Sequence, residues 1–432
     1  MWGLRNIPSG DKPLPGGYAM MAGLTTRAKI ALNAALLGLG SFGLFVWNIT
    51  RPATIYFDEV HYVPAARALL ERTAPTNIEH PLFAKTLIAA GIALFGDNPL
   101  GWRLPSALFA CVAVLAVFWI GMLLFGELRS ASCAALLLVF NQTHFIQARI
   151  GMLEMPMTGC LLLGAACLLQ ARRGSVRWAY AGAVALGLAV GSKWLAIPYV
   201  ALFLAARAWE QWRDSGRDEA HLIDHILPDA ARLGALAVLV YLASFAPAFF
   251  YTHDAMTLRH LIGFQFEMLA SQRSPLASHP YQSDWWQWPL MLRPIWYLFA
   301  QNANNYQAIL LIGNPLIYWG GAGVVALSLS GWLKRRDGVL LGLVGLYLFS
   351  LAIWIVIPKQ IGFFYYYNFS AVILCLVLVA FLRLFDAKRL RLVIWFTLAS
   401  AIAFAYFYPI IAADPLPKDD TWTEWVWMKS WY

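Results

Sequence analysis

Eleven apolar stretches recur along the 432 residues, at 30–48, 104–126, 131–147, 156–171, 178–192, 194–209, 230–251, 307–331, 338–357, 363–383 and 390–410. A bilayer core of about 30 Å takes about 20 mostly apolar residues of helix to cross. A chain with so many such stretches has few alternatives to an all-α polytopic membrane protein. Charged residues make up only 13% of it, against about 25% in a soluble domain, too few to cover a soluble surface of this length. Disorder, a coiled coil, a collagen-like rod and a disulfide-stapled secreted module are excluded on the same grounds. The five cysteines (Cys111, Cys133, Cys160, Cys167 and Cys375) all fall in apolar stretches without zinc-ligand spacing and read as packing residues.

Residues 1–29 read as a flexible cytoplasmic tail, Pro/Gly-rich before Met20, with Arg5, Lys12, Arg27 and Lys29 ahead of the first apolar run; Met20 or Met21 is an alternative start. That run is longer than the core of about 7–15 residues in a signal peptide and lacks a clear cleavage site, so it reads as an uncleaved helix. The 16 residues of 81–96, which hold Lys85, are ambiguous by hydropathy. If they lie in the interface and the N-terminus is inside, 19 of the 32 Lys and Arg fall on the inner side and 13 outside. The acids divide 10 inside and 13 outside, making the inner side +9 and the outer side neutral. A spanning 81–96 would reverse the basic bias, against the positive-inside rule. The net charge of +9 is therefore a topology signal and not a nucleic-acid patch. The long polar segments 49–103, 252–306 and 411–432 then share the outer side with the C-terminus, and chemistry is expected there.

The first outer segment carries Phe57-Asp58-Glu59-Val60-His61-Tyr62. Adjacent carboxylates at a membrane interface are costly unless partnered or at work: one could serve as a general base and the other orient a partner or a cation. The plainer reading is a charged loop. Asn77, Glu79-His80-Pro81, Lys85 and Trp102-Arg103 follow. Lys85 and Arg103 could neutralise a phosphate or snorkel as interfacial anchors. Segments 63–70 and 82–94 are expected as in-plane amphipathic helices. Arg149 and Glu154 sit at the outer end of the third helix, where Glu154 could complete an acidic site. Lys193 is a loop-tip residue or a second cation for an anionic lipid. No cofactor is firmly implied. His61, His80 and His279 with nearby acids leave room for a divalent metal, without ligand spacing to support it. Asn-x-Ser/Thr triplets at Asn48, Asn141 and Asn368 lie in or beside apolar stretches and do not read as glycosylation sites.

Taken in order, these blocks resemble the protein O-mannosyltransferase family, membrane glycosyltransferases of the GT-C fold. Phe57-Asp58-Glu59-Val60-His61 is similar to the family's Asp-Glu motif, and His80-Pro81-Leu82-Phe83-Ala84-Lys85 to its His-Pro-Pro-Leu-Gly-Lys segment. Trp102-Arg103-Leu104-Pro105, Arg149–Glu154, Ser283-Asp284-Trp285-Trp286-Gln287-Trp288-Pro289, Gly313-Asn314-Pro315 and the Trp-rich tail correspond to later blocks. The departures are Leu82 for the second Pro, Ala84 for Gly, Glu154 where Asp is common and Tyr366 near a usual His. Segment 252–306 is also too short for the β-trefoil module of eukaryotic members, so the chain resembles a compact prokaryotic member of an inner membrane.

The resemblance implies an inverting transfer of mannose from polyprenyl phosphate to a Ser or Thr hydroxyl at the outer membrane face, with the lipid bilayer, the donor and the acceptor as partners. It implies a catalytic set of Asp58 as base, Glu59 paired with Arg103, and Glu154. It implies a substrate set of His61, His80, Lys85, Arg149, Lys193, Trp285 and Trp286. A glycolipid acceptor such as lipid A keeps the fold and donor but changes the product. A transporter is the third reading; against it, the ionisable residues gather at one face, where a transport pathway places them near the midplane.

Overall fold

The computed structural model describes residues 25–274, 277–301, 303–330, 337–357, 359, 361–386 and 388–432. Most of the expected N-terminal tail (residues 1–24) and the basic triplet at 334–336 lie outside the described residues. Helix α1 (Thr26–Val46) leads into α2 (Glu59–Glu71), α3 (Phe83–Phe95) and α4 (Pro99–Phe125). Next come α5 (Leu128–Val139), α6 (Gln142–Ala148), α7 (Glu154–Ala171), α8 (Val176–Ser192) and α9 (Ala196–Asp214). The short α10 (Glu219–His221) runs through a π-helical turn into α11 (Leu227–Ala243), followed by α12 (Leu258–Gln272). Helices α13 (Pro315–Leu329), α14 (Gly338–Val356), α15 (Asn368–Leu382) and α16 (Arg391–Ile411) complete the set.

Seven helical runs among the described residues are long and apolar enough to cross a membrane: 26–46, 99–125, 154–171, 219–250, 338–356, 364–382 and 391–411. The other apolar stretches form shorter or more charged helices. Stretch 131–147 divides at Phe140–Asn141 into α5 and α6, and the 13-residue α3 extends only about 20 Å at 1.5 Å per residue.

The all-α expectation needs a correction. Strands β1 (Ile295–Gln301), β2 (Tyr306–Leu311) and β3 (Pro415–Leu416) form an antiparallel sheet in the order β1-β2-β3. The apolar stretch read as one helix over 307–331 begins as β2, and helix starts only at Pro315. Its register runs from Ile295 opposite Leu311 to Gln301 opposite Tyr306, and Tyr306 also pairs with Leu416. Segment 252–306 and the C-terminal tail are thereby joined. Trp431 Nε1 donates to the Met291 carbonyl at 2.6 Å, and Trp296 Nε1 to the Trp431 carbonyl at 2.9 Å.

Local chemistry sets the helix starts that matter for the site. Asn98 caps α4 by accepting from Leu100 N at 3.0 Å, with Pro99 at the first helical position. Asn314 caps α13 through Leu316 N at 3.1 Å, and its buried amide donates to the carbonyls of Phe140 and Ser400, both at 2.9 Å. One side chain thus ties α13 to the α5–α6 break and to α16. Where α3 meets α4, a Cβ on Gly91 would stand 2.2 Å from the Gly101 carbonyl, so only glycine permits that approach.

Candidate active site

Asp58 and Glu59 open α2, and one residue of sequence separates two different environments. Glu59 is fully buried. Its carboxylate accepts from Arg103 Nε at 2.7 Å and Nη2 at 3.0 Å, and from the backbone N–H of Gly151 at 2.9 Å and Tyr56 at 3.3 Å. The remaining Arg103 donors reach the carbonyls of Ile49 (2.9 Å), Pro52 (2.7 Å) and Thr54 (3.0 Å). This bidentate pair, with its hydrogen-bonding capacity filled, holds the loop between α1 and α2 against α4.

Asp58 is half-buried, and its carboxylate has no hydrogen-bond partner among the described residues. Burial pushes its carboxyl up to about 7; Glu154 adds to the rise and Lys193 opposes it. Glu154 and Lys193 are themselves buried and ion-paired, through one Glu154 oxygen. The other oxygen, Oε2, has no partner. The Lys193 ammonium also lies over the rings of Tyr365 (5.3 Å) and Tyr366 (5.2 Å). An under-coordinated carboxylate therefore lies within electrostatic reach of a desolvated cation and a second acid, the setting in which a carboxyl is tuned toward neutral pH.

The backbone that presents Asp58 is clamped. Phe57 adopts a φ of 48°, a region that bulky residues rarely visit. Its ring stacks on Tyr297 of β1 at 3.8 Å and meets the edge of Tyr365 at 5.9 Å. Gln147 donates to the Tyr297 hydroxyl at 2.9 Å, fixing that ring from below.

Other cations expected at a phosphate have different partners. Arg149 donates to the carbonyls of Phe45 (3.0 Å), Trp47 (2.5 Å) and Asn48 (3.0 Å), closing the carboxyl end of α1. Lys85 donates to the Asn77 and His80 carbonyls at 2.5 and 2.8 Å, and burial pushes its ammonium down to about 7, with Glu79 opposing. Both shape the walls of the site through backbone carbonyls. His80 lies 6.0 Å from Tyr62, His61 is exposed, and Trp286 is 51% exposed. Trp285 lines a cavity of about 480 Å³ with Asp284, Trp288, Trp354 and Lys359. Trp354 in turn stacks on Tyr366 at 4.7 Å. Among the described residues no group of three His, Cys, Asp or Glu side chains gathers to hold a metal, and His61, His80 and His279 do not form one.

Residues 97–252 match the family described as dolichyl-phosphate-mannose-protein mannosyltransferase, and residues 257–336 match the C-terminal four-transmembrane region of protein O-mannosyltransferase. Together the two matches cover more than half of the chain. The chain belongs to the protein O-mannosyltransferase family. Its relatives include the polyprenol-phosphate-mannose–protein mannosyltransferases of Mycobacterium tuberculosis and Mycolicibacterium smegmatis. They are 26% and 27% identical, over 95% and 96% of this chain and 91% and 93% of theirs. In fold it is similar to the S. cerevisiae protein O-mannosyltransferase Pmt1-Pmt2 complex bound to the sugar donor, with a TM-score of 0.78 at 14% identity, over 96% of this chain and 94% of that one. ArnT from Cupriavidus metallidurans is more distant, with a TM-score of 0.53 at 16% identity, over 84% of this chain and 62% of that one.

Several residues of this candidate site in the O-mannosyltransferase chain escaped sequence reasoning. Tyr297, Tyr365 and Lys359 were not singled out, and Tyr366 was noted only as a departure. The run Phe363-Phe364-Tyr365-Tyr366-Tyr367 is a visible signal, but only the fold shows that two of its rings face Lys193.

Proposed function

We infer that the chain transfers mannose from polyprenyl phosphate to a Ser or Thr hydroxyl of a protein, with inversion at the anomeric carbon. The observation that carries this reading is the contrast at Asp58. Glu59, Arg103, Arg149, Lys85, Glu154 and Lys193 each have at least one hydrogen-bonding partner, whereas the Asp58 carboxylate is half-buried, free of hydrogen bonds among the described residues and raised to about 7. The ionised carboxylate accepts the proton of the attacking hydroxyl while the bond from that oxygen to the anomeric carbon forms. The bond from the anomeric carbon to the phosphate oxygen breaks, and polyprenyl phosphate leaves with the electron pair. Lys193, backed by Lys359 at 5.6 Å from the Tyr366 ring, supplies positive charge for that phosphate. Glu154 orients Lys193, and Glu59 with Arg103 holds the loop.

In the same reading the chain crosses the membrane eleven times, pairing α5 with α6 as one crossing and α10 with α11 as another. The N-terminal tail (1–29) is cytoplasmic, residues 30–410 form the membrane domain, and the tail 411–432 lies outside a prokaryotic inner membrane. This arrangement is supported by the 19-to-13 division of basic residues and by the shortness of α3.

The test supplies membranes containing wild type or Asp58→Asn with polyprenyl phosphate carrying labelled mannose, and follows label into protein and lipid. Label in protein that depends on Asp58 is expected. Label in lipid would transfer the reading to a glycolipid acceptor, and undiminished labelling by Asp58→Asn would remove Asp58 as the base.

A further inference from the structure

Two cavities connect to the Asp58–Glu154–Lys193 group through single aromatic rings, the first through Trp354 and Tyr366 and the second through His80 and Tyr62, and their linings differ in charge and character. The first, described above, is walled by tryptophans and carries Lys359. The second, of about 400 Å³, lies between the loop 75–82, the segment 248–256 and α12. Its apolar floor includes Leu82, Ala248, Met256 and Phe264. Among the described residues its polar lining is Thr76, His80, Tyr251, Asp254, His260 and Glu267, with two carboxylates and no lysine or arginine.

We propose that this second cavity is the acceptor subsite and holds an extended polypeptide segment, with a small apolar residue on its floor and a basic residue at the Asp254–Glu267 rim. The proposal rests on the transfer reading above and adds where the polypeptide binds and which sequence it prefers. Three observations carry it. The first is charge. Two carboxylates with no lysine or arginine in the described lining disfavour a phosphate and favour a Lys or Arg side chain. Asp254 is exposed, and Glu267 pairs with the half-exposed His260 at 2.7 Å.

The second is continuity with the reacting group. His80 is part of this cavity and also neighbours Tyr62 at 6.0 Å, and Tyr62 lies within electrostatic reach of Asp58. His80 Nδ1 is buried without a partner. Burial and the surrounding cations Lys193 and Lys85 keep the imidazole neutral, so His80 adds no positive charge to the cavity. The third is preorganisation. Thr252 N donates to the Arg72 carbonyl at 2.7 Å and His253 N to that of Thr73 at 2.9 Å, while Gln272 Nε2 reaches the Glu79 carbonyl at 2.7 Å. The three walls are thus tied together around a space in the usual size range of ligand sites, about 300–1,000 Å³.

The experiment measures initial rates of mannose transfer to Ser/Thr peptides that differ only in a flanking Lys, Gln or Glu, with wild type, Thr76→Trp and the double variant Asp254→Lys, Glu267→Lys. Wild type should favour the Lys peptide. The double variant should raise the KM of that peptide at least about tenfold and reverse the order so that the Glu peptide is preferred, with the donor KM within about twofold. A reversed preference cannot come from misfolding. Thr76→Trp, an exposed rim position, should raise acceptor KM for all three peptides. Transfer that proceeds with an unmoved peptide order in the double variant overturns the proposal and leaves the transfer reading standing. The same holds if Thr76→Trp raises the KM of the donor and leaves that of the peptides unchanged. If wild type labels no peptide and labels lipid instead, both fall together.

Discussion

Asp58 and Glu59 are neighbours in the chain and opposites in the structure. Glu59 and Arg103 are fully buried, and each polar atom of the pair has a partner. Asp58, with Glu154 and Lys193, forms a group that is desolvated but incompletely paired. Desolvated charge is tolerated in a fold when its hydrogen bonds are complete, and it becomes reactive when they are not. The Glu59–Arg103 pair therefore holds the loop, and in the proposed transfer the Asp58 group performs the chemistry. The same residue types, Asp, Glu, Lys and Arg, serve both.

The sharpest way to break this comparison is to remove charge from each side. Asp58→Asn should lower transfer by about 10²–10⁴-fold, the usual contribution of a general base, with little change in thermal stability because no hydrogen bond is lost. Arg103→Ala should do the reverse. It leaves the buried Glu59 without its cation and the carbonyls of Ile49, Pro52 and Thr54 without their donor, a loss of about 3–5 kcal/mol visible as a lower Tm of the detergent-solubilised protein. A stable Arg103→Ala variant, or an unfolded Asp58→Asn variant, would erase the distinction.

How much of this division was legible beforehand follows from what each contact depends on. Asp58, Glu59, Arg103, Glu154 and Lys193 were picked out because charge is scarce in so apolar a chain, and the pairing of Glu59 with Arg103 was expected. The acceptors of Arg149 and Lys85 were not legible. Both cations bind main-chain carbonyls, which every residue possesses and no side-chain pattern marks. The sheet was missed because the continuous apolar run from 307 to 331 looks the same as strand or as buried helix until a partner strand is known. Tyr297 was missed because it reaches Phe57 from a distant part of the chain, and aromatic residues in outer segments are ordinarily interfacial.

A smaller effect sharpens the electrostatic half of the comparison. Asp58 must be ionised to accept a proton, and burial with Glu154 holds its carboxyl up to about 7. The value of kcat/KM should therefore rise with pH below about 7 and level off above it. Glu154→Gln removes a negative neighbour and frees Lys193 from its partner, and both changes favour the ionised form. The acidic limb should move to lower pH. A limb that stays in place would mean that the observed proton belongs to another group.

The smallest expected effect tests how Asp58 is presented. Phe57 holds a left-handed backbone conformation that costs roughly 1–3 kcal/mol for a non-glycine residue, and the Tyr297 stack at 3.8 Å is its main visible compensation. Tyr297→Leu keeps apolar bulk but loses the stack, worth about 0.5–1.5 kcal/mol, so kcat should fall several-fold to about tenfold. Tyr297→Phe retains the ring, loses only the hydrogen bond from Gln147, and should recover most of that loss. Since Tyr297 holds Phe57 and its hydroxyl bonds Gln147 and not Asp58, the midpoint of the acidic limb should stay near that of wild type in both variants. If Tyr297→Leu instead moves the midpoint as far as Glu154→Gln does, the ring sets the charge environment of Asp58 and not only its position.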